Sequence, residues 1–305
     1  MVNQYAQAGV TAVLKRAIST LGEIGLQVAA YHEQGFLSPV DALSVDEANT
    51  VRTLVESVEA EHGGPGHWPR EWSLKSHLIF TAIDRVVHHP RILDVVEDLL
   101  GPDLLCWSSR WFIKDKKDGG FVSWHQDVPY WGLDVGENIV TAWVAISPAT
   151  RANGCMKVIP GTHRSLVAHR EGVSSNLLLR GQEVAVNVDE NQAVYMTLAT
   201  GQMSLHHGLM FHGSEESRDD ERRIGLAIRY IPTRVKPVDG LPKDSVQLVR
   251  GVDRYNHFNH EPRPVRDLDP TDVARHKAAT ATYAEINKLA VAKHLQMIAA
   301  KSKSA

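Results

Sequence analysis

The feature that most constrains this chain is a change of texture near Leu104. Beyond it, short runs of β-branched and aromatic residues alternate with Gly, Pro, Asn and Asp. The runs fall at 105–113, 120–126, 139–146, 156–159, 183–188, 193–196, 203–211 and 223–230. Roughly eight short strands broken by turns point to an all-β sandwich or jelly roll. No helical crossover pattern separates them, which argues against a doubly wound α/β sheet.

The flanks read differently. Residues 1–100 carry mostly helical patterns, with apolar spacing over 14–26. Ser44 followed by Glu47 forms a capping box that opens a helix to about residue 61. The breaker cluster His62-Gly63-Gly64-Pro65-Gly66 marks a loop. Further helices are expected over 73–88 and 90–100, the second with Pro90 in its first turn and Gly101-Pro102 at its end. Gly35-Phe36-Leu37-Ser38-Pro39 reads as a short extended segment feeding a turn. After residue 235 a loop leads to a helix over 271–304. The simplest architecture is a single domain over 1–305. It is mainly β, with a jelly-roll core over 104–235 and helices before and after it.

Composition narrows the function classes. With 43% apolar and 23% charged residues, the 305-residue chain has an ordinary globular composition. A net charge of -3 makes no electrostatic case for nucleic acid or an anionic membrane. No apolar run approaches the length of a membrane span. The first residues lack the pattern of a signal peptide. The two cysteines, Cys106 and Cys155, sit in apolar surroundings and read as reduced core residues, which places the protein in the cytoplasm. The sequence carries no signal of oligomeric state.

Within the β region, His125-Gln126-Asp127 is an H-x-D pair. In a strand, positions i and i+2 share a face, so both side chains can converge on one ion. A distant histidine completes a set of two imidazoles and a carboxylate, which suits a mononuclear Fe(II) centre with open positions. The segment 204–212 offers His206, His207 and His212. A strand pattern puts His206, Gly208, Met210 and His212 on one face, and His207 on the other. His212 is favoured because Gly213-Ser214, a charged loop and a new strand at Arg223 follow it. In that strand Arg223, Gly225, Ala227 and Arg229 alternate onto one face and leave a floor clear for a small ligand. The planar guanidinium of Arg223 suits bidentate pairing with a carboxylate, and Ser214 can add a hydroxyl. Against this stands a plain surface salt bridge of Arg223 with Asp219, Asp220 or Glu221.

Trp124-His125-Gln126-Asp127, Ala142-Trp143, Asn153-Gly154-Cys155-Met156, Ile159-Pro160-Gly161-Thr162-His163, His212-Gly213-Ser214 and Arg223 follow in an order that resembles the phytanoyl-CoA dioxygenase family. The resemblance covers about residues 30 to 235. It implies a double-stranded β-helix and an enzyme dependent on Fe(II), 2-oxoglutarate and O2. His125, Asp127 and His212 would be the iron ligands. Arg223 and Ser214 would clamp the distal carboxylate of 2-oxoglutarate, and Trp143 would help wall the cosubstrate pocket. The step of eleven residues from His212 to Arg223 is the family's step. His207 to Arg218 repeats it, but without the Gly-Ser pair or the following strand. Halogenating relatives put Gly or Ala where Asp127 stands, so hydroxylation or another oxidation of a small molecule is expected, with release of succinate and CO2.

Other positions carry weaker signals. Lys75 resembles an upstream lysine that reaches the cosubstrate in some members, and a solvated helix face is its default. Tyr130 and Trp131 can line a substrate entrance or pack a sheet edge. Arg229, Arg234 and Lys236 can meet an anionic substrate or a natural-product intermediate, or lie in solvent. Two rival readings keep the same residues. One is a cupin-like Zn or Mn hydrolase or isomerase that does not use 2-oxoglutarate; the other is a non-catalytic binding protein on the same fold. The clamp separates them from the oxygenase.

Overall fold

A computed structural model describes residues 25–117, 119–128, 131–134, 139–171 and 182–303. Most of the expected helix over 14–26, and Tyr130, lie outside these residues. The chain is helical from residue 25 to 34 (α1) and then enters strand β1 (Phe36–Asp41). Ser44 caps α2 (Val45–Glu61) through the full capping box: its hydroxyl accepts from the Glu47 backbone N–H, and the Glu47 carboxylate accepts from the Ser44 backbone N–H. Helices α3 (Thr81–Val87) and α4 (Pro90–Leu100) follow, the latter with Pro at its first position.

The expected helix over 73–88 is corrected to two 3-10 turns, Arg70–Trp72 and Ser76–Leu78, ahead of α3. Lys75 is the reason. Its backbone takes a left-handed φ of 52°, and its N–H bonds the Ser109 carbonyl at 2.7 Å, so a tertiary contact interrupts the helix.

The core is a jelly roll of two packed sheets. The larger runs β1-β9-β4-β11-β2-β12-β13. It is built from β2 (Leu104–Lys114), β4 (Val140–Ala145), β9 (Gln202–His207), β11 (Arg223–Pro232), β12 (Ser245–Arg250) and β13 (Asn259–His260) beside β1. The smaller runs β3-β10-β5-β8, from β3 (Val122–His125), β5 (Met156–Val158), β8 (Val194–Tyr195) and β10 (His212–Ser214). A ribbon of β6 (His169–Glu171) and β7 (Gln182–Val184) forms its own two-stranded sheet beside β3. The extended segment read over 35–39 is β1, an edge strand of the larger sheet. One expectation changes here: the 236–305 segment, read as a loop and a helix, adds β12 and β13 before helix α5 (Pro270–Lys303). Among the described residues no helix is long and apolar enough to cross a membrane.

Alternation along β11 divides the molecule. Ile224, Leu226, Ile228 and Tyr230 face the helices and join a core with Val51, Val55, Ile83, Ile92 and Val96. Arg223, Ala227 and Arg229 face inward and line a cavity. Both faces are therefore buried, and the strand is shielded along its whole length. Trp143 stands beside Ala227 and lays its ring over Gly225; a Cβ at Gly225 would lie 1.9 Å from the Trp143 ring.

The run over 203–211 is not one strand. It ends at His207, turns at Gly208-Leu209 and crosses to the smaller sheet as β10. The shared face expected for His206, Gly208, Met210 and His212 therefore does not exist as a strand face.

Gly225→Ala tests the packing of the inner face. In an open strand this change would gain about 0.5–1 kcal/mol. Here overpacking against Trp143 should cost about 1–3 kcal/mol. Urea denaturation checks the sign, and a stabilised variant contradicts this arrangement.

Candidate active site

The site lies between the sheets, where β3 and β10 run antiparallel with His125 opposite His212. Gly213 permits the close pairing, because a Cβ there would lie 2.8 Å from the Val122 carbonyl. Asp127 is not on the strand as expected. It sits just after β3, where its N–H donates to the Gly208 carbonyl at 3.0 Å. The turn that breaks 203–211 thus holds the carboxylate in place. Gln126, between the two, is fully buried and its amide is saturated. It donates to the Ser165 and Leu209 carbonyls at 2.8 Å each and accepts from the Val167 N–H at 3.0 Å. That glutamine pins the end of β3 to two distant segments, at 165–167 and at Leu209; in the sequence its only signal was its place inside the motif.

One ligand atom each from His125, Asp127 and His212 lies within 4.8 Å of the others, and all three residues are buried. Nδ1 of His125 faces the Ser123 carbonyl and Nδ1 of His212 faces the Met210 carbonyl, both at 3.0 Å. Each contact is satisfied by an N–H at Nδ1, which leaves the Nε2 lone pair for an ion. Nε2 of His125 is 3.5 Å, and Nε2 of His212 is 3.9 Å, from a carboxylate oxygen of Asp127. Asp127 Oδ2 is buried without a hydrogen-bond partner. Burial alone would raise its pKa. The His125 contact and the nearby His212 and Arg229 outweigh burial and hold the carboxyl well below its usual range. Burial, joined by the charges of His125 and His206, holds His212 neutral well below the ordinary imidazole range. An ionised carboxylate and a neutral imidazole, each with an uncommitted atom, are donors that fit a divalent cation.

A cavity of about 440 Å³, counting the space of its open mouth, lies beside them. Phe112, Trp143, Met156, Ser214, Arg223 and Ala227 are among its walls. Arg223 is buried, not paired at the surface with Asp219–Glu221. Its guanidinium lies over the Trp143 ring, 5.3 Å from the centroid, and donates to the Gly154 carbonyl. The neighbouring Arg222 makes the ion pairs instead, with the buried Glu59 at 2.7 Å and with Asp115 at 2.6 Å. Ser214 Oγ accepts from Lys114 Nζ at 2.9 Å. Lys114 was not anticipated. It is fully buried and stands opposite Arg223 in the β2–β11 register. A lysine at the end of a strand reads as an edge residue until that register is known.

Other expected positions resolve as follows. Lys75 neither faces solvent nor lines the cavity. Its buried ammonium is spent on Asp244 at 3.1 Å and the Ser245 carbonyl at 2.7 Å. Trp131 is buried against Trp107, with ring centroids 5.1 Å apart, and Arg229 lies over it at 5.3 Å. Arg234 points to the Leu100 carbonyl at 3.4 Å, and neither it nor Lys236 lines the cavity. His207 accepts from the Leu209 N–H at 3.0 Å. His206 lines the cavity with its ring 4.6 Å from that of His212. Cys106 and Cys155 are buried free thiols.

Comparison with known proteins gives a consistent picture. The family model described as phytanoyl-CoA dioxygenase (PhyH) matches residues 31–225. A solved structure titled "non-heme monooxygenase; ThoJ apo" is 37% identical, with a TM-score of 0.77 over 88% of this chain and 99% of that one. CytC3 with Fe(II) and alpha-ketoglutarate is 22% identical with a TM-score of 0.57, over 80% of this chain and 97% of that one, and shares the fold. The peroxisomal phytanoyl-CoA dioxygenase of Bos taurus is 27% identical over 178 residues, 53% of this chain. The match spans 51%, about half, of the bovine protein's own length.

The buried imidazoles set a pH dependence. Burial, more than any neighbouring charge, pushes His206 and His207 down to about 4, and His77 and His212 well below 6.5. The unfolded chain therefore takes up protons below about 6.5 that the folded chain refuses, so stability falls with pH across that window. The melting temperature of the metal-free protein should drop steadily from pH 7 to about 4.5. A flat profile contradicts the burial of these rings.

Proposed function

The chain belongs to the phytanoyl-CoA dioxygenase family, and from its site we propose that it hydroxylates a small-molecule substrate with Fe(II), 2-oxoglutarate and O2. The enzyme is a non-haem iron oxygenase. The observation that carries the reading for this chain is the pairing of a buried three-atom ligand set with a buried cationic clamp across one cavity. His125, Asp127 and His212 would hold the iron. Iron at that site supplies the oxidative decarboxylation of 2-oxoglutarate by O2, giving succinate and CO2 with oxidation of the substrate.

The remaining work belongs to the protein. The backbone carbonyls of Ser123 and Met210 fix the two imidazole tautomers. Arg223, Ser214 and Lys114 would receive the distal carboxylate of 2-oxoglutarate; Lys114 already holds the Ser214 hydroxyl in position. Trp143 backs the Arg223 guanidinium with its ring face, so the clamp is stiff before its ligand arrives. Fixing the cosubstrate by its far end orients its reacting end without further loss of freedom. The buried walls keep water from the reacting groups. The same three ligands would suit Zn, but a hydrolase has no use for a buried arginine and lysine aimed at a second anion.

Asp127→Ala should abolish succinate formation from 2-oxoglutarate, and full output in that variant contradicts the ligand assignment. Arg223→Gln should weaken 2-oxoglutarate binding by about thirtyfold or more, the cost of stripping one partner from a buried charge pair. Calorimetric titration of the metal-loaded protein measures it. Unchanged affinity removes Arg223 from the clamp.

A further inference from the structure

The inner face of the large sheet carries a second polar pole that the proposed chemistry does not use. In the cross-strand register His206 stands opposite Thr141, Thr141 opposite Arg229, and Arg229 opposite Ser108. Residues directly opposite in antiparallel strands share a face, so these four form one row across β9, β4, β11 and β2. All four are buried, Arg229 at 5% exposure. Each has side-chain polar atoms sealed from solvent without a hydrogen-bond partner: both ring nitrogens of His206, Oγ1 of Thr141, Nε and Nη1 of Arg229, and Oγ of Ser108. One such atom is tolerable, but a row of them is costly unless a polar ligand completes it.

The charge of that ligand follows from the surroundings. Arg229 and His206 line the same cavity as the three ligand residues. Arg110 lies one row along β2, opposite Ala227, and the Phe112 ring sits 5.2 Å from its guanidinium and 5.9 Å from that of Arg229. Among the described residues neither arginine forms an ion pair. The carboxylate within their electrostatic reach is Asp127, which the iron would claim. With a divalent cation bound, this end of the cavity is strongly positive and needs an anion. Arg229 lies six residues along β11 from Arg223, about 20 Å of strand, so the two arginines cannot hold the same small carboxylate. The ring faces of Phe112 and Trp131, 5.9 and 5.3 Å from the Arg229 guanidinium, stabilise its positive charge.

We propose that this row, with Arg229 at its centre, receives a carboxylate of the substrate, so that the compound oxidised is a carboxylic acid anchored at the end of the cavity opposite the 2-oxoglutarate clamp. This rests on the oxygenase reading, which assigns the Arg223 end to the cosubstrate.

The test uses benzoate and its neutral isostere benzamide as probes. Each is titrated calorimetrically into the full-length protein loaded anaerobically with Fe(II) and saturated with 2-oxoglutarate, which closes the Arg223 end. Benzoate should bind, and benzamide should bind at least about tenfold more weakly. Arg229→Gln should lose about thirtyfold or more in benzoate affinity, Arg229→Lys less, and the near-isosteric Thr141→Val about fivefold. Thr141→Val guards against a folding defect in the arginine variants. Equal binding of the two probes, no binding of benzoate to the wild type, or benzoate affinity indifferent to both Arg229 and Thr141 overturns the proposal. A separate titration of 2-oxoglutarate alone reads the oxygenase premise. Its failure would leave the Arg229 dependence of benzoate binding to decide the anion site.

Discussion

A buried carboxylate governs this structure. Asp127 lies between two imidazoles and within reach of two arginines, in a cavity that excludes water from most of its surface. An ionised carboxylate in such a place is expensive unless cations surround it. The large sheet supplies the guanidinium of Arg229, and the imidazoles of the small sheet supply neutral donors through which a bound cation would complete the balance. The Gly208 turn that carries the chain between the sheets also grips the Asp127 backbone. Placement of the ligand set and closure of the jelly roll are thus one structural event.

The large sheet divides its labour by strand alternation. One side of β11 builds the apolar core with the helices, and the other presents Arg223, Ala227 and Arg229 to the cavity. The two arginines bracket a floor kept low by Gly225 and Ala227. Along the β2 side of that floor stand residues matched in register, Lys114 beside Arg223 and Arg110 beside Ala227. A cavity lined by two arginines six residues apart on β11, with a metal-ligand set in its wall, is suited to two anionic reactants held apart.

Much of this was legible in the sequence, for reasons tied to particular residues. Period-two alternation exposed the floor of β11, and turn residues marked most strands of the jelly roll. The capping box at Ser44 located α2. What escaped notice depended on register or on long-range contact. Lys114 and Arg110 acquire meaning only when β2 is paired to β11. Lys75 sits in a helical pattern, yet its bond to Ser109 and its buried ammonium override propensity. The 203–211 run satisfies a strand pattern throughout, and only the close approach of Gly208 to Asp127 and Val128 shows that it breaks. His206 lies near His212 because the chain turns back, not because the two share a strand face.

The measurement that tests the central claim most directly is an anaerobic titration of the full chain with Fe(II), with and without 2-oxoglutarate, followed in the visible range. The account expects one iron per chain and, only with 2-oxoglutarate present, a weak charge-transfer band near roughly 500 nm, from a 2-oxo acid meeting a centre with open positions. Iron binding with no band at saturating 2-oxoglutarate would contradict it, since the ligand set and the clamp would then not serve one cosubstrate.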